Sequence, residues 1–273
     1  MRRTLFCAVM VSACLTMVVP AGAAPLSTFS LSDDNSSVSF DLASTTGMYG
    51  WVVDTVTHLE KQWFWYRTGA VGDESPISSL TLSNSGATDS NFDSNFDTVY
   101  AKYTGTGFTL ELRVSLDGGA TGTHYSTLAE QVTIKNTSLA NLDFHLFQYT
   151  DFNLGGTAND DAIQIIGVLP DTIYQSDAMY TGDTVVVQKA DYYQAGGAAP
   201  LLALFSDGLT TTLGNIAVAG PGSDVAWALQ WDGVIKPGKT YQVVIGKTIT
   251  PEPATLALLG LGGLIAALRR KRG

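Results

Sequence analysis

Phe108-Thr-Leu-Glu-Leu-Arg-Val-Ser-Leu116 alternates without a break. Phe108, Leu110, Leu112, Val114 and Leu116 fall on one side, and Thr109, Glu111, Arg113 and Ser115 on the other. This period of two marks a strand with one buried face. Val38-Ser-Phe-Asp-Leu42, Val132-Thr-Ile134, Leu142-Asp-Phe-His-Leu146 and Tyr241-Gln-Val-Val-Ile245 repeat the pattern more briefly. Turn residues punctuate them: Asp117-Gly118-Gly119, Lys135-Asn136-Thr137-Ser138, Thr181-Gly182-Asp183, Asp232-Gly233 and Lys236-Pro237-Gly238-Lys239. Hardly any stretch carries a helical period. The pattern predicts an all-β body, a two-sheet antiparallel β-sandwich, over residues 24–250.

Two stretches read differently. Tyr192-Tyr193, then Ala195-Gly196-Gly197-Ala198-Ala199-Pro200, then Leu201-Leu-Ala-Leu204 predict a loop entering a buried strand, with a short helix before Gly196 as the alternative. Ser85 to Asp97 is the most polar stretch and reads as a long surface loop. No fixed-period repeat and no low-complexity linker divides the body.

The N-terminus has the order of a secretory signal peptide, residues 1–23. Arg2 and Arg3 precede an apolar core from Leu5 to Val19, and Ala21-Gly22-Ala23 offers small residues for cleavage before Ala24. Val11-Ser12-Ala13-Cys14 also fits a loose lipoprotein box, in which Cys14 would carry the lipid. Both cysteines, Cys7 and Cys14, lie in this segment. Cleavage after Ala23 leaves a mature chain with no disulfide, thiolate metal site or cysteine nucleophile.

At the other end, Pro251-Glu252-Pro253 is followed by an apolar run from Ala254 to Leu268 and by Arg269-Arg270-Lys271-Arg272. As a helix the run would reach roughly 22 Å, short of the roughly 30 Å hydrocarbon core. Cations are costly to move across a bilayer, so the basic cluster stays on the cytoplasmic side and everything before Pro251 on the far side of the inner membrane. The three parts of residues 251–273, in this order at this end, resemble the PEP-CTERM sorting signal of Gram-negative bacteria. The resemblance implies recognition of Pro251, Glu252 and Pro253 by an exosortase, a membrane-embedded cysteine protease or transpeptidase. It implies a short transmembrane helix that anchors the chain transiently, and a bearer associated with exopolysaccharide and biofilm. It covers the tail alone and brings no activity for the body.

Once both ends are set aside, the body holds nine Lys and Arg against twenty-four Asp and Glu, a net charge near −15. Nucleic acid and anionic lipid need a cationic face, which excludes them as partners of the body. Divalent cations and neutral polysaccharide remain compatible.

Four groups of residues carry candidate chemistry. Asp89-Ser-Asn91-Phe-Asp93-Ser-Asn95-Phe-Asp97 places an oxygen ligand at every second position, the spacing of compact calcium loops. It lacks the loop's glycine and terminal glutamate, and the competing reading is an Asn/Asp loop that caps its own turns. Asp151-Phe-Asn153 and Asn159-Asp160-Asp161 flank Gly155-Gly156 and offer a second acidic group, or an ordinary loop. Trp63-Phe-Trp-Tyr66 is the densest aromatic run. On a strand Trp63 and Trp65 share a face, either a platform for sugar rings or a strand buried on both sides. His58, His124 and His145 are far apart in sequence, and no nucleophile elbow, His-Glu-x-x-His or phosphate loop is present. Asn35-Ser-Ser37 and Asn136-Thr-Ser138 read as turns.

The sequence therefore reads as an exported surface or extracellular-matrix protein, a substrate for a sorting enzyme, structural or adhesive afterwards. It reads as no enzyme and as needing no cofactor, calcium in the Asp89–Asp97 loop excepted. A carbohydrate-binding module using Trp63 and Trp65, and an exported hydrolase with a carboxylate pair, are the alternatives.

Overall fold

The alternation at Phe108–Leu116 is a strand, Phe108–Gly118, with Phe108, Leu110, Leu112, Val114 and Leu116 all buried and Glu111 and Arg113 exposed. It belongs to a computed structural model that describes residues 24–166 and 172–252. The leader with Cys7 and Cys14, Pro253, the run Ala254–Leu268 and Arg269, Arg270, Lys271 and Arg272 lie outside the described residues. Among the described residues no helix is long and apolar enough to cross a membrane.

The strands form two nine-stranded sheets, antiparallel except for a short parallel contact of Gly47 and Met48 with Gln62. The first runs Thr28–Asp33, Ser36–Asp41, Gly47–Val53, Leu59–Thr68, Leu142–Phe152, Val225–Ile235, Tyr192–Gly197. Two short strands, Val56–Thr57 and Ser75–Pro76, pair at its side. The second runs Val218–Ala219, Ala162–Ile166, Thr172–Ser176, Tyr180–Val186, Thr240–Pro251, Ser126–Asn136, Phe108–Gly118, Thr98–Gly105, Thr81–Thr88. The all-β sandwich is thus observed, with one added layer.

That layer makes the sheets unlike. The second keeps the inside-outside alternation along its strands and shows one face to water, so we call it the open sheet. The first is covered on both sides at its centre, over Leu59–Thr68, Leu142–Phe152 and Val225–Ile235. In Leu59–Thr68, Gln62 bonds Glu130 across the sandwich and Tyr66 packs edge-on against Phe108 at 5.5 Å. The intervening Trp65 and Arg67 point the other way, where Trp65 stacks on Phe205 at 5.1 Å and Arg67 bonds Glu74 and the Thr211 carbonyl. The segment supplying Phe205, Thr211 and Leu213 lies over this outer face like a lid.

Three local expectations change. Tyr192–Gly197, expected as a loop, is a strand, and the expected buried strand after it begins instead as the helix Ala198–Ala203. Gly197 stays extended, and Pro200 sits in the first helical turn, where its missing N–H has no intrahelical acceptor to serve. Thr181-Gly182-Asp183 and Asp232-Gly233 are strand interior, not turns. A Cβ at either glycine would meet only ordinary contacts, 3.5 Å from Leu154 at Gly182 and 3.6 Å from the Tyr241 ring at Gly233. Gly47 does need its freedom. Its φ is +63, and a Cβ there would come within 2.4 Å of the Trp63 ring.

Between the sheets the largely apolar core encloses a buried ion pair, with Gln62, Gln148 and Thr150 around it. Lys247 Nζ lies 2.6 Å from Glu130 Oε1, both side chains wholly buried. Glu130 Oε2 accepts from Gln62 Nε2 and Gln148 Nε2, each at 2.8 Å, and Lys247 stands 5.5 Å over the Trp227 ring. Burial drives the Lys247 ammonium below its ordinary pKa, and the Glu130 carboxylate beside it pulls back.

Candidate functional site

On the strand Leu142–Phe152, Phe144 and Gln148 face the open sheet, while Phe147, Tyr149 and Asp151 face outward under the lid. Tyr149 is covered by the helix Ala198–Ala203: its hydroxyl is 3.2 Å from the Ala198 carbonyl and 3.0 Å from Asp151 Oδ2. Beside them opens a cavity of about 420 Å³, walled by Thr46, Glu60, Lys61, Ala199, Leu202 and Asp224. Asp151 is 6% exposed, and its Oδ1 is buried without a hydrogen-bond partner.

Burial lifts the Asp151 carboxyl to about 7. The negative charge of Asp224 adds to this, the Tyr149 hydroxyl opposes it, and Glu60 and Asp161 raise it a little more. When protonated, Asp151 can donate to the tyrosyl oxygen while Tyr149 donates to the Ala198 carbonyl. When ionised, it accepts a hydrogen bond from the tyrosyl hydroxyl instead. The site can thus hold or release a proton near neutrality without losing its hydrogen-bond partners.

Trp63 and Trp65 are 1% and 3% exposed. Trp65 is covered by Phe205 of the lid, and Trp63 is packed against Gly47 of the neighbouring strand, so neither ring is open to stack on a sugar, and this cover is invisible in a strand pattern. The Asp89–Asp97 oxygens serve their own loop. Asp89 accepts from the backbone N–H groups of Phe92, Asp93 and Ser94, Asp93 from that of Asn95, and Asp97 from those of Ser90 and Asn91. The Asn91 side chain accepts from Asp93 N–H and donates to Asp33, and the Asn95 amide turns back to Asp93. Among the described residues no group of His, Cys, Asp and Glu is arranged for a metal.

The second acidic group divides. Asp151 joins the cavity, whereas Asp161 is buried under the short helix Leu154–Gly156, accepting from Leu154 N–H and Gln175 Nε2. Burial raises its carboxyl to about 6, against the pull of those bonds. Folding gathers two of the histidines: His58 and His124 lie 4.7 and 5.8 Å from the Tyr180 ring. Burial and the charge of His124 depress His58 to about 4, which keeps it neutral. His145 instead pairs with Asp232, Nδ1 to Oδ1 at 2.6 Å. Glu60, Tyr149 and Asp224, which carry no motif, are the cavity residues that sequence reasoning misses.

The start of the tail is held by the fold. The last strand of the open sheet runs Thr240–Pro251, pairing Thr250 with Thr181 and Pro251 with Tyr180. Glu252 N–H donates to the Met179 carbonyl at 2.8 Å, and Thr181 Oγ1 donates to Glu252 Oε1 at 2.7 Å. Burial and the Glu252 charge both raise the Asp183 carboxyl alongside.

Residues 250–272 match the family model of the PEP-CTERM protein-sorting motif. The motif implies an exported chain, processed by exosortase and anchored transiently through its C-terminus. No curated protein matches the sequence. Among solved structures, a bacterial glucoamylase complexed with acarbose is similar over 89% of this chain, with TM-score 0.58 and 6% identity. The chain spans 35% of that glucoamylase. A putative aldose 1-epimerase of Escherichia coli K12 has TM-score 0.51 and 9% identity over 82% of this chain and 99% of its own. The Slr1438 protein of Synechocystis sp. PCC 6803 has TM-score 0.52 and 10% identity over 84% and 97%. At such identities the likeness is one of fold.

Proposed function

We propose that a chain whose sorting motif begins inside its last strand is an extracellular structural or adhesive protein, delivered by exosortase to the surface or matrix of a Gram-negative cell. The observation carrying this reading is the matched motif at 250–272, fused without a linker to a rigid body. In this reading the basic cluster Arg269–Arg272 holds the cytoplasmic side of the inner membrane, the body folds in the periplasm, and exosortase removes the anchor. A body that is largely strand and sheds its C-terminal hydrophobic run suits a matrix of exopolysaccharide, and its acidic charge keeps it off anionic lipid. Intact mass spectrometry of the extracellular form is the test. The expected mass lacks Arg269–Arg272 and the residues before Ala24; an extracellular form that retains the basic cluster contradicts the reading.

A second reading, hydrolysis of glycosidic bonds, has one observation in its favour. Asp151, near neutral in pKa, shares a cavity with Glu60 and Asp224, the kind of carboxylate set that splits acid and base roles. The fold likeness to a glucoamylase is compatible with it. Release of reducing ends from the producing cell's own exopolysaccharide, lost at least 100-fold in Asp151→Asn, would support catalysis. Equal release by both proteins removes it.

A further inference from the structure

We propose that the cavity between the strand residues Tyr149 and Asp151 and the helix Ala198–Ala203 binds the primary ammonium group of a small organic molecule. Asp151 Oδ1 is buried without a partner in a side chain that is 94% covered, and a buried carboxylate oxygen left unmatched is costly. Asp151 is part of the cavity wall, so a donor seated against that wall lies beside this carboxyl.

Charge then selects the donor. Glu60, Asp151 and Asp224 line the same space as Lys61, the cross-strand partner of Asp151, three carboxylates to one ammonium. With all of them ionised a further cation is attracted, and an anion is repelled. Burial first, and then the charge of Asp224 with a smaller part from Glu60, raises the Asp151 carboxyl to about 7; a bound cation offsets the part that comes from charge. A primary ammonium offers three N–H donors, enough for Asp151 Oδ1 and the rim carboxylates Glu60 and Asp224 together. Bare metal ions fit poorly, since the described residues hold no group of ligands arranged for one. The volume, about 420 Å³, lies in the range of small-molecule sites and is too small for a folded partner. Ala199 and Leu202 supply an apolar wall for the carbon skeleton.

An amino sugar and an aliphatic diamine share this chemistry, and calorimetric titration separates them. The probes are glucosamine, putrescine, N-acetylglucosamine and glucose, added to the full chain in detergent. Saturable binding of glucosamine alone, or of both amines, is expected, with at least tenfold weaker binding of the two uncharged sugars. The first pattern assigns the site to an amino sugar, the second to the amine alone. Asp151→Asn, nearly isosteric, is expected to weaken amine binding at least tenfold. Asp224→Asn, on the exposed rim where folding is not at stake, is expected to weaken it about threefold. Uncharged sugars binding as tightly as the amines overturn the proposal. So does amine binding that survives both substitutions, or no binding of either amine at millimolar concentration.

Discussion

Lys247→Met is expected to destabilise the body by about 3–5 kcal/mol, because it leaves the Glu130 carboxylate buried between two sheets without its cation. In a body of this size that corresponds to a fall in melting temperature of roughly 6–20 °C. Gln62 and Gln148 still donate to Glu130 Oε2, but Oε1 loses its only partner at 2.6 Å. The double variant Glu130→Gln with Lys247→Met should recover more than half of the loss. It removes both charges and keeps an oxygen to accept from Gln62 and Gln148, so the desolvation cost of the pair disappears with it. Urea denaturation of the wild type, both single variants and the double variant gives the coupling directly. A Lys247→Met protein as stable as the parent would mean that the ion pair contributes nothing beyond the packing Met restores.

Cysteines at positions 181 and 250 are expected to abolish exosortase processing when oxidised. Thr181 and Thr250 are register partners, and directly opposed residues in an antiparallel pair have Cα atoms about 4.5–5.5 Å apart, within the reach of a disulfide. A membrane-embedded protease needs its target as a free extended segment. Here Pro251 is paired with Tyr180, and Glu252 is tied to Met179 and Thr181. Processing of such a segment requires the strand end to open, and opening limits cleavage when it is rarer than capture. The only native cysteines, Cys7 and Cys14, lie in the leader, so Thr181→Cys with Thr250→Cys forms its bridge without competition once the leader is removed. Pulse-chase of the exported double variant should show uncleaved chain accumulating, with cleavage restored by a membrane-permeant reductant. Unchanged cleavage of the oxidised form would show that exosortase takes the motif with the strand end in place.

Much of this architecture is legible in the sequence, and the parts that are not share a cause. Strands with one wet face, such as Phe108–Gly118, announce themselves by alternation. The strand Leu142–Phe152 is buried on both faces for most of its length, so period two fades, and only its first residues carry the signal. Trp63 and Trp65 suffer the same ambiguity: a sheet face under a lid and a face open to sugar have one composition. The ion pair leaves a trace that alternation can expose. Leu128, Glu130 and Val132 are in phase, as are Ile245, Lys247 and Ile249, which puts opposite charges at two core positions. Of the cavity only Asp151 leaves a trace, as a member of the second acidic group. Glu60, Asp151 and Asp224 come from three strand or loop segments, and only the sheet order brings them to one wall.

Thr240–Pro251 is the last described strand in the chain and lies in the middle of the open sheet, between Tyr180–Val186 and Ser126–Asn136. A sheet whose central member arrives last stays split into two halves while the rest of the chain crosses the membrane. Closure therefore waits until the residues just before the sorting motif have emerged. Assembly and dispatch share one clock: the step that joins the two halves also places Pro251 and Glu252, so the sorting enzyme meets a finished molecule rather than a growing one.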